Sequence, residues 1–351
     1  MIKLLGSLAI VLMLAFSGPV PAGSADEADG RAQVIGAVDH YRVMGDETLL
    51  QVARQYDLGF VEFMAANPGV DPWVPGIGTQ VVVPAMHVLP DAPRRGIIIN
   101  LTEMRLYLFS AHGDIVGTWP IGIGQEADMT PLGTTQIVGK ELNPTWIPPA
   151  SIRREKPELP AVVPPGPDNP LGDRALALGW PRFLIHGTNK PYGVGRRVSH
   201  GCIRLYPEDI AQLYRLVPVG TPVTFVDQPV KLGWRDGGLY LQIHPSKTQA
   251  DQIEAEGRFD PEPLPGLIDK VLAAAGKHTN AIDWRAVLHA VEERSGVPMI
   301  ILGPGVVPSP EIAIESSSAL ARLGAKAAAV RPADHRVASA ATCRTARRAA
   351  G

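Results

Sequence analysis

The sequence predicts a mostly β central domain with one main helix, a small α+β unit before it and a short helical appendage after it. Three observations carry this. From residue 94 to about residue 230, short apolar runs such as "GIIINL", "MRLYLFS", "IVGTWPIGIG" and "GTPVTFVD" alternate with turn residues, which is the signature of successive strands. Residues 41–84 pass from a strand-like pattern to helical spacing and back. Beyond residue 231 a capped amphipathic helix follows a strand-like run. A chain of 351 residues also exceeds one ordinary core, so two or three domains are expected.

The N-terminus reads "MIKLLGSLAIVLMLAFSGPVPAGSADEADG". A lone Lys3, an apolar run from Leu4 to Phe16 and then small residues form a secretory signal, expected to be 1–25 with cleavage after Ala25. The run is too short to span a bilayer, and the Gly-Pro-Val-Pro after it would break a helix. No later stretch is apolar for long enough to be a transmembrane segment. No cysteine near the cut offers a lipid acceptor, so an exported, periplasmic or wall-associated protein is expected. A net charge of -2 without a basic motif argues against nucleic acid as a partner.

Residues 26–39 are polar and small, a linker. In 41–84, "HYRV" is strand-like, and Gly45, Asp46 and Thr48 supply turn and cap chemistry. Leu49, Val52, Ala53 and Tyr56 then fall on one helical face. A second short helix carries Val61, Phe63 and Met64 and ends at Asn67-Pro68-Gly69, and "TQVVVP" closes the unit as a strand. "PDAPRR" is a proline-bounded linker into the domain at 94–230. That domain's helix, "YPEDIAQLYRLV", starts at Pro207 with Glu208 and Asp209 in its first turn. The proline-dense segment from Asn143 to Pro170 is too long for a simple connection and is expected to be a lid or binding element. Residues 231–302 form a small appendage with two helical pieces. The clearer helix is capped by Asp283, presents Trp284, Val287, Leu288 and Val291 on one face, and ends at Gly296. The tail 303–351, rich in Ala, Pro and Arg, is expected to be disordered.

Two cysteines occur in the chain. Cys343 lies in the tail, so pairing it with Cys202 would tie a core segment to a loose end, and Cys202 reads as a free reactive thiol. In an extended "SHGC", His200 and Cys202 share one face with Arg204 beside them. Gly201 lets the backbone N–H groups of Gly201 and Cys202 approach a carbonyl oxygen, the raw material of an oxyanion hole worth roughly 3 kcal/mol per donor. His186 ends the strand "RFLIHG" and supplies a base for the thiol. Zinc would need a fourth ligand at a metal-like spacing, so no metal is expected. A redox thiol would need a resolving partner. A merely structural cysteine is disfavoured by the polar, flexible surroundings Ser199, His200, Gly201 and Arg204.

The segment "HGTNKPYGVGRRVSHGCIRL" closely resembles the motif of the L,D-transpeptidase catalytic domain of the YkuD type. "MTPLGTTQIV", "NPTWIPPASIRRE" and "NPLGDRALALG" look like the same family. Residues 41–84 resemble a LysM module, a binder of N-acetylglucosamine-containing glycans. The resemblance implies an L,D-transpeptidase-like β-sandwich. It makes Cys202 the nucleophile and His186 its general base, with the Gly187 carbonyl orienting the ring. Ser199 and His200 shape the site, and the Gly201 and Cys202 N–H groups hold the oxyanion. Some relatives carry Asn where this chain has Arg204, which is read as binding a substrate carboxylate or anchoring a loop. No cofactor is implied. The partners implied are peptidoglycan stem peptides as donor and acceptor, glycan strands through the LysM-like module, and an outer-membrane lipoprotein as an alternative acceptor. Hydrolysis would make the protein an L,D-carboxypeptidase, and loss of chemistry would leave a wall-binding protein. Because the two units look separable, the 94–302 fragment is expected to keep catalysis on soluble muropeptides without residues 41–84.

Overall fold

The computed structural model describes residues 32–125, 130–199 and 201–308, the side chain of Ser151 excepted. The expected signal 1–25, the tail beyond residue 308 with Cys343, and His200 lie outside the described residues.

The first unit comprises β1 (Val34–Gly36), β2 (Asp39–Arg42), α1 (Leu49–Gln55), α2 (Phe60–Ala66), β3 (Gln80–Val83) and β4 (Met86–Val88). Thr48 and Gln51 cap α1 reciprocally, each side chain bonding the other's backbone N–H. The Glu62 carboxylate accepts from Gly59 N at 3.1 Å to start α2. Asn67 then staples the end of α2 to β3, donating to the Phe63 and Val82 carbonyls and accepting from Val82 N at 2.7 Å. β2 and β3 pair antiparallel, so the strand–helix–helix–strand order of the sequence pattern is present. Part of the stretch expected to be a linker, residues 34–36, is instead a strand. β1 pairs with β4, and Val34 is buried with Met86 and Val88, with Tyr240 packed against them. Only a long-range partner makes that strand worth forming.

The central unit holds β5 (Gly96–Asn100), β6 (Arg105–Phe109), β7 (Ile115–Pro120), β8 (Ile123–Gly124), β9 (Gly133–Leu142), α3 (Ala150–Glu155), β10 (Arg174–Leu178), β11 (Leu184–His186), β12 (Arg197–Ser199), β13 (Ile203–Arg204), α4 (Pro207–Leu216) and β14 (Pro222–Val226). Eight strands form one sheet in the order β13-β11-β10-β9-β14-β5-β6-β7, and β8 pairs with β12 alone. The mostly β class is therefore present, but as one curled sheet rather than two separate layers. The cause is β9. Gly133–Gln136 pairs with β14, Ile137–Leu142 pairs with β10, and a register shift at Ala177/Leu178 bends the ladder between them. Ile210 and Leu213 of α4 fill the curl against Ile185, Leu176 and Ile137. A second helix, α3, sits inside the proline-dense segment where the sequence predicted only a lid.

The last unit comprises β15 (Val230–Arg235), β16 (Gly238–Ile243), α5 (Lys247–Glu256), α6 (Leu267–Ala275), α7 (Trp284–Glu293) and β17 (Met299–Leu302). Its three-stranded sheet, α6 and α7 enclose a core of their own, while Ala250 and Ile253 of α5 pack into the central cluster. It has three helices where two were expected. α5 is nearly all polar, so its apolar period is weak, but Ser246 and Gln249 cap it reciprocally. Asp283 caps α7 as predicted. The helix stops at Arg294 in a left-handed conformation (φ 43°) rather than at Gly296, because the buried guanidinium bonds Gln249 Oε1 at 2.7 Å and the Glu262 carbonyl.

The three units meet at a buried charged cluster. Arg105 of β6 donates to Glu62 of α2 at 2.7 Å. Lys231 of β15 donates to Glu103 at 2.7 Å and to the Val88 carbonyl. His87 and His244 stand 3.6 Å from one Glu103 oxygen. Burial alone would push the Glu103 carboxyl up, but Lys231, His244 and His87 together hold it well below the usual carboxylate range. Removing one partner of such a pair strands the other charge, at about 3–5 kcal/mol. Lys231→Met is therefore expected to destabilise the protein by about that much, and the double variant with Glu103→Gln to recover most of it. Urea unfolding reads both, and a double variant no better than the single would contradict the pairing.

Candidate active site

Two short strands build the site. β11 and β13 run parallel, with Ile185 opposite Ile203 and His186 opposite Arg204. Paired residues in a parallel ladder point to one face, and so do alternate residues along an extended strand. Cys202 immediately precedes β13, two positions before Arg204, and the Arg204 charge acts on both the thiol and the imidazole.

His186 is 3% exposed, and its Nδ1 lies 2.6 Å from the Gly187 carbonyl. That contact favours the tautomer with the proton on Nδ1, leaving the Nε2 lone pair free. Burial, reinforced by the positive charge of Arg204, lowers the imidazole to about 4, against the pull of the Gly187 and Leu171 carbonyls. Cys202 is a free thiol, half-buried, and burial pushes it up, while the Leu184 backbone N–H and Arg204 favour the thiolate. Its Sγ donates to the Arg182 carbonyl at 3.5 Å rather than to the imidazole. At neutral pH the resting pair is thus a thiol and a neutral ring. Burial also pushes the Arg204 guanidinium down from its usual range, and among the described residues its buried Nε has no hydrogen-bond partner.

The turn before β13 is held by its own polar atoms. Ser199 is buried, and its Oγ donates to the Cys202 carbonyl at 2.6 Å. Gly201 has φ +97°, which a side chain rarely adopts, and its carbonyl accepts from Thr130 Oγ1 at 3.0 Å. Six sequence-predicted positions, His186, Gly187, Ser199, Gly201, Cys202 and Arg204, therefore gather at one place, and His200 lies outside the described residues.

Sequence reasoning missed several backbone and polar partners. Asn169 is fully buried and donates to the Pro144 carbonyl at 2.8 Å and the Pro164 carbonyl at 3.2 Å. Its Oδ1 accepts from Leu171 N at 2.9 Å, which positions the carbonyl that reaches the His186 ring. Trp146 and Val163 exchange backbone bonds across the segment. The proline-dense stretch is thus a stapled hairpin whose base touches the imidazole, with Ile147 and Val162 exposed on it. The Asn-Pro after a proline run was the available signal for Asn169. Nothing local marks the Arg182 carbonyl or the Leu184 N–H.

A buried histidine lowered to about 4 makes stability depend on pH. Between about pH 4 and 6.5 the unfolded chain protonates His186 and the native state does not, so stability falls as pH falls through that window. His244, also lowered to about 4 chiefly by burial, acts in the same direction. Each contributes about 1.4 kcal/mol per pH unit inside the window. Urea unfolding at pH 7 and pH 4.5 should show this loss, and His186→Gln should reduce it by one histidine's share. An unchanged pH slope in His186→Gln would count against the buried neutral imidazole.

Residues 94–225 match the family described as the YkuD L,D-transpeptidase catalytic domain. The chain is 38% identical over 289 residues to "Probable L,D-transpeptidase YcfS" of Escherichia coli K12, covering 80% of this chain and 86% of that protein. It is 42% identical over 254 residues to "Probable L,D-transpeptidase YbiS" of the same strain, covering 70% of this chain and 81% of that protein. With "Probable L,D-transpeptidase ErfK/SrfK" of Salmonella typhimurium it shares 41% over 262 residues, or 73% and 82% of the two chains. The solved catalytic domain of the E. faecium L,D-transpeptidase is similar at 22% identity over 39% of this chain and all of that one, with a TM-score of 0.32, and nothing further rests on it. No helix among the described residues is long and apolar enough to cross a membrane. The extent and identity of these matches settle the assignment: this chain belongs to the L,D-transpeptidase family.

Proposed function

We propose that this protein transfers an acyl group between peptidoglycan stem peptides through a thioester on Cys202. The observation that supports the reading is the parallel register of β11 and β13, which sets His186 opposite Arg204, two positions after Cys202. His186 Nε2 takes the thiol proton as Sγ attacks the carbonyl carbon at the L-centre of the third stem residue. Because the resting pair is neutral, proton and sulfur move in one step rather than from a standing ion pair. The Gly201 and Cys202 N–H groups receive the developing oxyanion. Collapse breaks the amide, and the imidazolium returns its proton to the departing D-alanine. An acceptor amine then attacks the thioester, loses its proton to the same ring, and restores the thiol. Arg204 favours thiolate and neutral imidazole alike, and its free Nε suits a substrate carboxylate.

Another stem peptide as acceptor gives a 3-3 crosslink, a lipoprotein lysine tethers the wall, and water gives carboxypeptidase activity. All three begin with the same thioester outside the cytoplasmic membrane, where an exported chain would meet its substrate. Residues 41–84 serve as the glycan-binding module. Met44, Trp73, Val74 and Ile77 are exposed on the loops after β2 and before β3, an apolar surface on which sugar rings can stack.

Purified protein incubated with disaccharide tetrapeptides should release D-alanine and yield dimeric or hydrolysed products readable by mass spectrometry. Cys202→Ala should reduce release to background, and His186→Ala should slow it about 100-fold or more. Full activity in Cys202→Ala would remove the proposal. Trp73→Ala should weaken co-sedimentation with intact sacculi while leaving turnover of soluble tetrapeptide unchanged. Equal sedimentation would exclude that surface as the glycan platform.

A further inference from the structure

The loop that leads from His186 to Cys202 is held by both flanking units, through α2 and α5, which pack against each other. The first turn of α2 sets its otherwise unpaired N–H groups on this loop: Phe60 N donates to the Val194 carbonyl at 3.4 Å and Val61 N to the Gly195 carbonyl at 3.1 Å. Two glycines make the approach possible. A Cβ on Gly59 would meet Gly195 Cα at 2.7 Å, and a Cβ on Gly195 would meet Phe60 N at 2.1 Å. The Arg196 guanidinium lies 3.9 Å from the centroid of the Phe60 ring. Beside α2, α5 supplies carboxylates. Arg196 reaches Glu254 at 3.3 Å, and Arg197 pairs with Asp251 and donates to the Lys247 carbonyl at 3.0 Å. Beyond the cysteine, the Tyr206 hydroxyl donates to the Leu58 carbonyl at 3.2 Å, and Arg54 of α1 forms a two-point pair with Glu208.

The gripped loop touches the site itself. Ile123 N donates to the Arg196 carbonyl at 3.0 Å, and Gly195 N to the Ile121 carbonyl at 3.1 Å. A Cβ on Gly193 would stand 3.5 Å from Arg204 Nη1, so the guanidinium lies against this loop. Displacing the loop moves Arg204, whose charge acts on both Cys202 and His186.

We propose that Gly59–Val61 of α2 and the carboxylates Asp251 and Glu254 of α5 are positioning elements for the segment Pro191–Arg197, so that both flanking units set the reactivity of Cys202 as well as any attachment to the wall. This rests on the reading of Cys202 as the nucleophile. It replaces the separability expected from the sequence: the first unit is part of the catalytic frame.

Gly59→Ala tests it in the full chain. Gly59 has φ -83°, which alanine adopts freely, so the first unit itself tolerates the change while the contact with Gly195 does not. The expected result is a fall in kcat for D-alanine release from soluble tetrapeptide of about 10- to 100-fold with KM within about twofold, the scale of a small misplacement of reacting groups. The pH midpoint of Cys202 alkylation by iodoacetamide should move up, and sedimentation with sacculi should stay as in the wild type. Glu254→Lys attacks the loop through Arg196 instead of through Gly195, and a smaller change of the same kind is expected. If Gly59→Ala does not fold, Glu254→Lys decides by the same two readouts. Wild-type kcat and an unshifted alkylation profile in the folded variants would overturn the proposal. Alkylation is read on the thiol alone, so a wild-type protein that releases no D-alanine would count against the nucleophile assignment and leave the loop test standing.

Discussion

The site depends on one parallel pairing only two residues long. β11 and β13 are separated in sequence by the whole "GTNKPYGVGRRVSHGC" stretch, and Ile185–Ile203 and His186–Arg204 are their paired positions. So short a ladder at a sheet edge would slip if left to itself. It is held because β13 is bonded on both sides. Leu205 N donates to the His186 carbonyl, and Arg204 and Gly122 exchange backbone bonds at 2.8 and 2.9 Å. A slip of one residue would take Arg204 out of register with His186. The flanking strand, the Ser199 and Thr130 hydroxyls and the gripped loop all serve that register.

The same enclosure sets the electrostatics. A site buried enough to exclude water pushes a thiol up and an imidazole down, so burial alone leaves both neutral and unreactive. Arg204 is the counterweight. It is a cation that cannot release its proton, and it stands beside both groups, lowering the thiol and the imidazole together. The resting state therefore keeps the proton on sulfur. The Glu103–Lys231 and Glu62–Arg105 pairs show the other use of buried charge, joining three units at one point.

Much of this was legible in the sequence. His-Gly followed by Ser-His-Gly-Cys pointed to the candidate site because it brings a thiol and two imidazoles into one stretch of chain, although the chemistry itself needs them close in space. Helical spacing located α1, α4 and α7, and Thr48 and Asp283 announced their caps. What the sequence concealed is long-range. β1 exists because Val34 finds Val88 and Tyr240, the sheet curls because β9 changes partners along its length, and α5 carries almost no apolar period. The contact of Gly59 with Gly195 is invisible for the same reason, since a glycine pair that permits two backbones to touch looks like two ordinary turn residues. Arg294 misled by type, as a bonded guanidinium held a left-handed position that glycine usually fills.

The central claim is that the acyl group rests on the Cys202 sulfur between donor and acceptor. Rapid quenching of the wild-type protein with a tetrapeptide donor and no acceptor amine, followed by intact-protein mass spectrometry and peptide mapping, addresses it directly. The expected result is a mass gain equal to the donor less one D-alanine, located on the peptide that contains Cys202 and labile to hydroxylamine as a thioester. A gain located on any other peptide, or one that persists in Cys202→Ala, would contradict it.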